Sequence, residues 1–343
     1  MKKTFSKLAK HQRKWYGKWH TWTSIIAGVI LIIISLTGAL LVFEDELDVY
    51  LHPELFEFEV KASDQKLPID EVYQSVSAKE KDHQFFNISY KPSLNNAYIL
   101  YYLKDNQQVQ VIVNPYNAEV KGHRIYKNTF LGIIHELHRN LLIPYVGRYI
   151  VVIASIFMIV LMITGLRLWL PHQINNLKSR LWVNFKNRPK KVNYDFHNVL
   201  GFYFSPFITL ISLTGVAITF SSVIVISLFL GDFQKPQSIG DLLNQNSTYK
   251  AEQSSLKIDS ILKISQRDMP HSKVMAVFVP KDSIEPYKVN FEKEGIAETG
   301  DHSFALYDQY TGDEIINTEK DFSNLGKLAI NWIGPLHYGS FGG

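Results

Sequence analysis

Three long runs of apolar residues constrain this chain more than any other feature of its sequence. Residues 22–43 and 198–230 contain no charged side chain, and residues 149–170 contain one, Arg167 near the end of the run. At about 1.5 Å per residue, 22 helical residues cover the ~30 Å hydrocarbon core of a bilayer. We therefore predict three transmembrane helices over these ranges. The third is longer than one span needs, so we expect it to tilt or to project beyond the lipid.

Basic residues predict the orientation of these spans. Residues 1–20 contain seven Lys and Arg side chains and no acid, and the connection 171–197 contains six more. Under the positive-inside rule, residues 1–21 and 171–197 are cytoplasmic, and residues 44–134 and 231–330 lie outside a bacterial inner membrane. A basic segment that runs directly into a long apolar helix is typical of a membrane anchor, so lipid rather than nucleic acid is the expected partner.

The absence of cysteine limits the possible chemistry. Disulfides, cysteine-ligated iron–sulfur clusters and covalently attached c-type haem are excluded, so a metal centre must use His, Met, Tyr or carboxylate ligands. The sequence also lacks the glycine-rich nucleotide-binding loops and the His-Glu-x-x-His zinc motif.

A repeat runs through the chain. The pentapeptide Ile-Ser-Leu-Thr-Gly occurs at residues 34–38 and again at 211–215. His20 precedes Gly38 by eighteen residues, and His197 precedes Gly215 by the same eighteen. Eighteen residues are five helical turns, so each His shares a helix face with its Gly roughly 27 Å away. A Leu-His pair follows each outer segment, at residues 137–138 and 336–337.

The two outer segments have similar patterns. Each begins with a helix-like stretch, at 67–79 and 258–266, and continues into alternating, strand-like stretches at 109–113 and 273–279. The expected fold is an α-helical membrane protein with two small extracytoplasmic α+β domains. Residues 135–148 form an outer, His-bearing segment, and residues 331–343 are expected to begin a fourth span that the sequence does not complete.

This layout resembles the PepSY-associated transmembrane helix family, which includes iron-regulated membrane proteins and ferric-siderophore reductases. The resemblance covers essentially the whole chain. It rests on His20-Thr-Trp, Leu137-His-Arg, Asp195-Phe-His-Asn-Val-Leu-Gly, the Thr-Gly pairs of the spans and the terminal Leu336-His-Tyr-Gly-Ser-Phe-Gly-Gly. The outer segments are similar to PepSY domains, with the turn Asp308-Gln-Tyr-Thr-Gly as the clearer match. The first copy departs from that pattern with Asn114-Pro-Tyr-Asn.

Histidine is the usual noncovalent haem ligand, and two imidazoles from neighbouring helices suit electron transfer. Position and resemblance together predict two b-type haems, one held by His20 and His197 at the inner face and one by His138 and His337 at the outer face. His135 and His172 are possible substitutes. Gly38 and Gly215 would leave room for a porphyrin or a close helix. Arg148 and Arg139 near the outer ligands, and Arg167 near the inner ones, could pair with haem propionates or simply reach the interface.

The resemblance implies a haem-dependent reductase that passes electrons from a cytoplasmic or quinol donor to an external ferric chelate. Two alternatives stay open at this point. One is a non-catalytic envelope regulator whose outer domains restrain a peptidase or another partner. The other is a metallophore or solute transporter that uses intramembrane histidines as proton or metal sites.

Overall fold

The computed structural model describes residues 10–59, 65–171, 176–231, 244–248, 253–293, 303–322 and 324–339. Its contacts divide the chain into two compact units. The helical unit comprises residues 1–38 and 137–219, and the sheet unit comprises residues 39–136 and 220–343. Each unit therefore combines segments from both halves of the sequence.

The described residues form the following helices: α1 (Lys10–Leu41), α2 (Glu44–Leu51), α3 (Pro53–Phe56), α4 (Ile69–Lys79), α5 (Phe130–Asn140), α6 (Gly147–Trp169), α7 (Pro189–Thr219), α8 (Ser221–Gly231), α9 (Ile258–Asp268), α10 (Thr318–Asp321) and α11 (Asn324–Tyr338). The strands are β1 (Phe85–Tyr90), β2 (Tyr98–Lys104), β3 (Gln107–Val113), β4 (Val120–Arg124), β5 (Ser272–Phe278), β6 (Tyr287–Lys293), β7 (Ser303–Tyr307) and β8 (Glu314–Asn317).

Three helices, α1, α6 and α7, are long and apolar enough to cross a membrane. The first two contain the predicted spans, although α1 starts twelve residues before residue 22, inside the basic segment. The third predicted range, 198–230, does not form a single helix. Helix α7 ends at Thr219 and α8 follows after a break at Phe220, which agrees with a run too long for one crossing. Helix α7 also begins at Pro189, inside the predicted loop 171–197, where proline suits a first helical turn.

Both α1 and α7 run antiparallel to α6. Ala27 and Leu31 of α1 pack with Ala154 and Leu161 of α6, and these small and branched side chains let the helices approach closely. Trp169, the last residue of α6, stacks on Phe202 in the first half of α7, with ring centroids 4.0 Å apart and planes 16° apart. At the other end of the pair, Arg148 donates to the carbonyl of Thr219 at 2.9 Å.

The strands form one eight-stranded antiparallel sheet in the order β4-β3-β2-β1-β5-β6-β7-β8. The expectation of two separate small domains is therefore corrected. Each outer segment supplies a helix and four strands, but β1 pairs with β5 through the partners Asn87 with Phe278, Ile88 with Val277 and Ser89 with Ala276. Helices α4 and α9 share the core of this sheet: Val76 and Ile261 are fully buried in the same cluster as Leu100 and Val289.

The pairing of β1 with β5 constrains the membrane topology. Because β1 and β5 are neighbours in one sheet, residues 85–90 and 272–278 lie on the same side of the membrane. An even number of crossings must then separate them, and α6 and α7 supply two. Two hydrogen bonds also join helices α4 and α9 of the sheet unit. Asp70 accepts a hydrogen bond from the Ile258 backbone N–H, and Asp259 accepts one from the Asp70 N–H, both at 3.3 Å.

Equivalent turns follow β3 and β7. The side chain of Asn114 accepts a hydrogen bond from Tyr116 N at 2.9 Å, and Asp308 accepts from Tyr310 N at 2.8 Å and Thr311 N at 3.0 Å. Thr248 N also donates to Asp308, at 2.6 Å. Burial by itself raises the pKa of Asp308, but these backbone donors outweigh burial and hold the pKa below its ordinary value.

Candidate functional site

His20 of α1 is half-buried against the end of α6. Its Nδ1 lies 3.0 Å from the hydroxyl oxygen of Thr164. That hydroxyl donates its single proton to a backbone carbonyl of its own helix, at 2.7 Å from Val160 O. It therefore accepts from the imidazole, so the proton of His20 is on Nδ1 and the lone pair is on Nε2. A neutral imidazole in this tautomer presents Nε2 as a metal ligand.

Gly165 provides the space in which the His20 ring lies. A Cβ atom at this position would come within 3.1 Å of His20 Cε1, which is tighter than ordinary van der Waals contact. The imidazole therefore lies across the Thr164-Gly165 pair. Thr164 provides the hydrogen-bond acceptor, and Gly165 leaves the space that the ring occupies.

His138 makes the same kind of contact at the other end of α1. Its Nδ1 lies 2.9 Å from the carbonyl oxygen of Ile34 and 3.2 Å from the hydroxyl of Thr37. A carbonyl can only accept, so Nδ1 carries the proton and Nε2 carries the lone pair. A Cβ on Gly38 would come within 2.9 Å of His138 Cε1, and His138 thus lies across the Thr37-Gly38 pair.

A tight turn between α5 and α6 positions His138. Gly147, the first residue of α6, lies so close to the end of α5 that a Cβ atom there would be 1.7 Å from Asn140 O. Leu141, Leu142 and Tyr145 adopt positive φ angles in the connection, a conformation that costs energy for residues with a side chain. His138 thus lies on a short helix whose C-terminal end packs closely against the start of α6.

The two contacts are reciprocal. The Thr-Gly pair near the end of α6 receives the His near the start of α1, and the Thr-Gly pair near the end of α1 receives the His that precedes α6. Seventeen residues separate His20 from Thr37, so these sites lie about 26 Å apart along α1. Two antiparallel spans therefore present one Nδ1-bonded imidazole near each end.

His197 of α7 completes the group at the first end. Its ring centroid is 6.2 Å from that of His20, with the planes at 73°. An imidazole nitrogen lies about 1 Å from its ring centroid and a metal–imidazole bond is about 2.1 Å long, so two imidazoles on one iron have centroids about 6 Å apart. The angle between the two ring planes is not restricted, because each ring can rotate about its metal–nitrogen bond. The separation of the two rings therefore fits two imidazoles that would bind one haem iron.

A family model described as the PepSY-associated TM region matches residues 18–343. The chain belongs to the PepSY-associated transmembrane family. The match starts two residues before His20 and includes all three spans of this PepSY-associated protein, which is a multi-pass membrane protein. No curated protein matches the sequence.

The other predicted site residues of this PepSY-associated chain have the following positions. Thr214 precedes Gly215 in α7 and donates to the Leu210 carbonyl at 2.9 Å, as Thr164 does in α6. Arg148 donates a hydrogen bond to the Thr219 carbonyl at the end of α7, and Arg167 lies in the last turn of α6. The pairing of His138 with His337 stays a prediction, because they belong to different units.

Of the two predicted substitute ligands, only His135 belongs to the residues that the structure describes. His135 contacts the ring of Tyr126, with centroids 6.2 Å apart, and lies in the sheet unit. Arg139 follows His138 in the last turn of α5. His172 lies outside the described residues.

Sequence reasoning missed Thr37, Thr164 and Gly165 as partners of the histidines. A signal was available, since each of the three spans carries one Thr-Gly pair, at 37–38, 164–165 and 214–215. The pattern did not show which histidine each pair receives, because 144 residues separate His20 from Thr164.

Proposed function

We propose that this protein carries electrons across the membrane through two b-type haems and delivers them to an extracytoplasmic ferric chelate of the siderophore type. The observation that carries the proposal is the His20–His197 pair, with ring centroids 6.2 Å apart and His20 Nδ1 at 3.0 Å from the Thr164 hydroxyl. The family includes ferric-siderophore reductases, which supports the choice of substrate.

Each part of the site has a definite task in this function. His20 and His197 would hold the inner haem, and His138, together with His337, the outer one. Thr164 and the Ile34 carbonyl accept the Nδ1 protons, which orients each ring and raises the basicity of Nε2. Gly165 and Gly38 leave the space that the imidazoles occupy.

Haem iron with two imidazole ligands supplies one-electron transfer and keeps no position for oxygen. A cytoplasmic quinol or a separate reductase would provide the electrons. One electron converts one chelated Fe(III) into Fe(II). The softer, less charged ion binds hard oxygen ligands more weakly, so the reduction would release iron for uptake.

The first test is a reduced-minus-oxidised visible spectrum of the full chain, purified from cells supplied with haem. We expect a sharp α-band typical of b-type haem, and its absence would favour the envelope regulator instead. A second measurement encloses dithionite in vesicles that contain the protein and adds a ferric chelate outside. Fe(II) should form outside with the wild-type chain and not with His20→Ala.

A further inference from the structure

The indole N–H of Trp169 is a buried donor that has no acceptor. Trp169 is 5% exposed, and no hydrogen-bond partner of Nε1 is found among the residues that the structure describes. A buried N–H usually has a partner, and an unpaired one destabilises the fold. An orphaned donor of this kind indicates a ligand that supplies the acceptor.

The orientation of this indole is fixed by its neighbour. Trp169 and Phe202 stack at 4.0 Å with nearly parallel planes, so α6 and α7 hold the ring firmly between them. The N–H is therefore positioned by the packing of two spans, and a ligand would meet a preorganised donor.

Trp169 belongs to the helix pair that also supplies the contacts of His20 and His197. It follows Thr164, the partner of His20, by five residues of α6, and Phe202 follows His197 by five residues of α7. Five helical residues correspond to about 7.5 Å along each axis. The stacked rings and the paired imidazoles thus come from the same stretches of the helices.

Arg180 brings a positive charge to the same end of α6. Its guanidinium Nη1 donates to the Trp169 carbonyl oxygen, and the side chain is partly buried. A guanidinium has five N–H donors, so one bond to a carbonyl leaves it able to bind an anion as well. The indole N–H and the guanidinium are both donors, and a carboxylate, which only accepts, is the group that matches them.

We propose that Trp169 and Arg180 bind a propionate carboxylate of the haem that His20 and His197 hold. This inference rests on the proposed function. It adds two residues to the site and places an anion-binding group at the Trp169 end of α6, whereas the sequence pointed to Arg167.

The test uses the full-length apoprotein in detergent, titrated with haem and with haem dimethyl ester, which has no propionate charge. The variant Trp169→Phe keeps an aromatic ring against Phe202 and removes only the N–H donor. We expect the affinity for haem to fall about 10-fold to 100-fold, since a hydrogen bond to a charged group is lost, and the affinity for the ester to stay close to wild type. Arg180→Gln should show the same selectivity.

Phe202→Leu is the matched control, because it removes the stacking partner and keeps the indole N–H. It should weaken both porphyrins to a similar extent. If Trp169→Phe binds haem as tightly as wild type, or loses haem and ester equally, the inference is overturned while the haem function stands. If the wild-type chain binds neither porphyrin, the proposed function fails, and the inference fails with it.

Discussion

The imidazole of His138 lies so close to Gly38 that a Cβ atom on the glycine would approach Cε1 to 2.9 Å. Gly165 stands in the same relationship to His20, at 3.1 Å. Each histidine therefore depends on a residue of another helix that has no side chain.

Gly38→Ala should displace His138 and weaken binding of the proposed outer haem about tenfold, because a methyl group at 2.9 Å forces the ring or the helix to move. Haem titration followed by the visible spectrum measures this loss. Gly28→Ala is the matched control on the same helix, since a Cβ there would meet nothing within 4 Å. Equal effects of the two substitutions would mean that the glycine serves helix formation alone.

His20→Ala and His197→Ala should each remove the same spectral component, and the double variant should lose little more, as expected for two residues that act as a unit. The reduced-minus-oxidised spectrum of each variant provides the comparison. His271→Ala changes an exposed histidine of the sheet unit and should leave the spectrum intact. Our assignment fails if His20→Ala and His138→Ala deplete the same haem.

Thr164→Val keeps the shape of the side chain and removes the acceptor for His20 Nδ1–H. The imidazole then loses this acceptor and keeps the Leu161 carbonyl alone, which makes it a weaker donor to iron, so haem affinity should fall about 10-fold to 100-fold. The midpoint potential of that haem should become more positive, because a less basic ligand stabilises Fe(III) less. Thr164→Ser restores the hydroxyl and should restore both values; a serine variant that behaves like valine would refute the hydrogen-bond role.

Asp308 gives the sheet unit an acid-sensitive turn. Its pKa in the folded chain is lowered by backbone donors that outweigh burial, so the unfolded chain takes up the proton first as the pH falls. The stabilisation from this carboxylate is present above about pH 4 and is lost as the pH drops through the lower folded value. Asp308→Asn, which places the residue of the first turn in the second, should be less stable at pH 7 and lose less stability between pH 6 and pH 3. Denaturant unfolding at several pH values measures both effects, and an unchanged pH profile would contradict them.

The pairing of β1 with β5 and the basic stretches predict a definite topology. Reporter fusions at Asn106 and Ser283, one in each half of the sheet unit, should both report the extracytoplasmic side, and a fusion at Lys186 should report the cytoplasm. Opposite reports from Asn106 and Ser283 would contradict the sheet, whereas a common report from Asn106 and Lys186 would contradict the spans.

The sequence allowed the spans to be predicted because hydrocarbon thickness fixes the length of an apolar run. It also predicted His20 and His197 as a pair through their equal distances from Gly38 and Gly215, and the structure places their ring centroids 6.2 Å apart. It could not show that β1 and β5 join the outer segments, since pairing between residues such as Ile88 and Val277 depends on contacts far apart in the chain. For the same reason the acceptor for His20 and the unpaired indole of Trp169 became visible only in three dimensions.

The central strand pair also sets the order in which the molecule can be made. Strand β1 precedes α6, and β5 follows α7, so the middle of the sheet cannot close until both of these spans have been synthesised and threaded through the membrane. Until then β1 has an open edge, and open edges recruit other chains. Closure of a loop this long is slow compared with local folding. Strands β1 to β4 are therefore synthesised before β5, and β1 can pair with β5 only after both spans have been inserted.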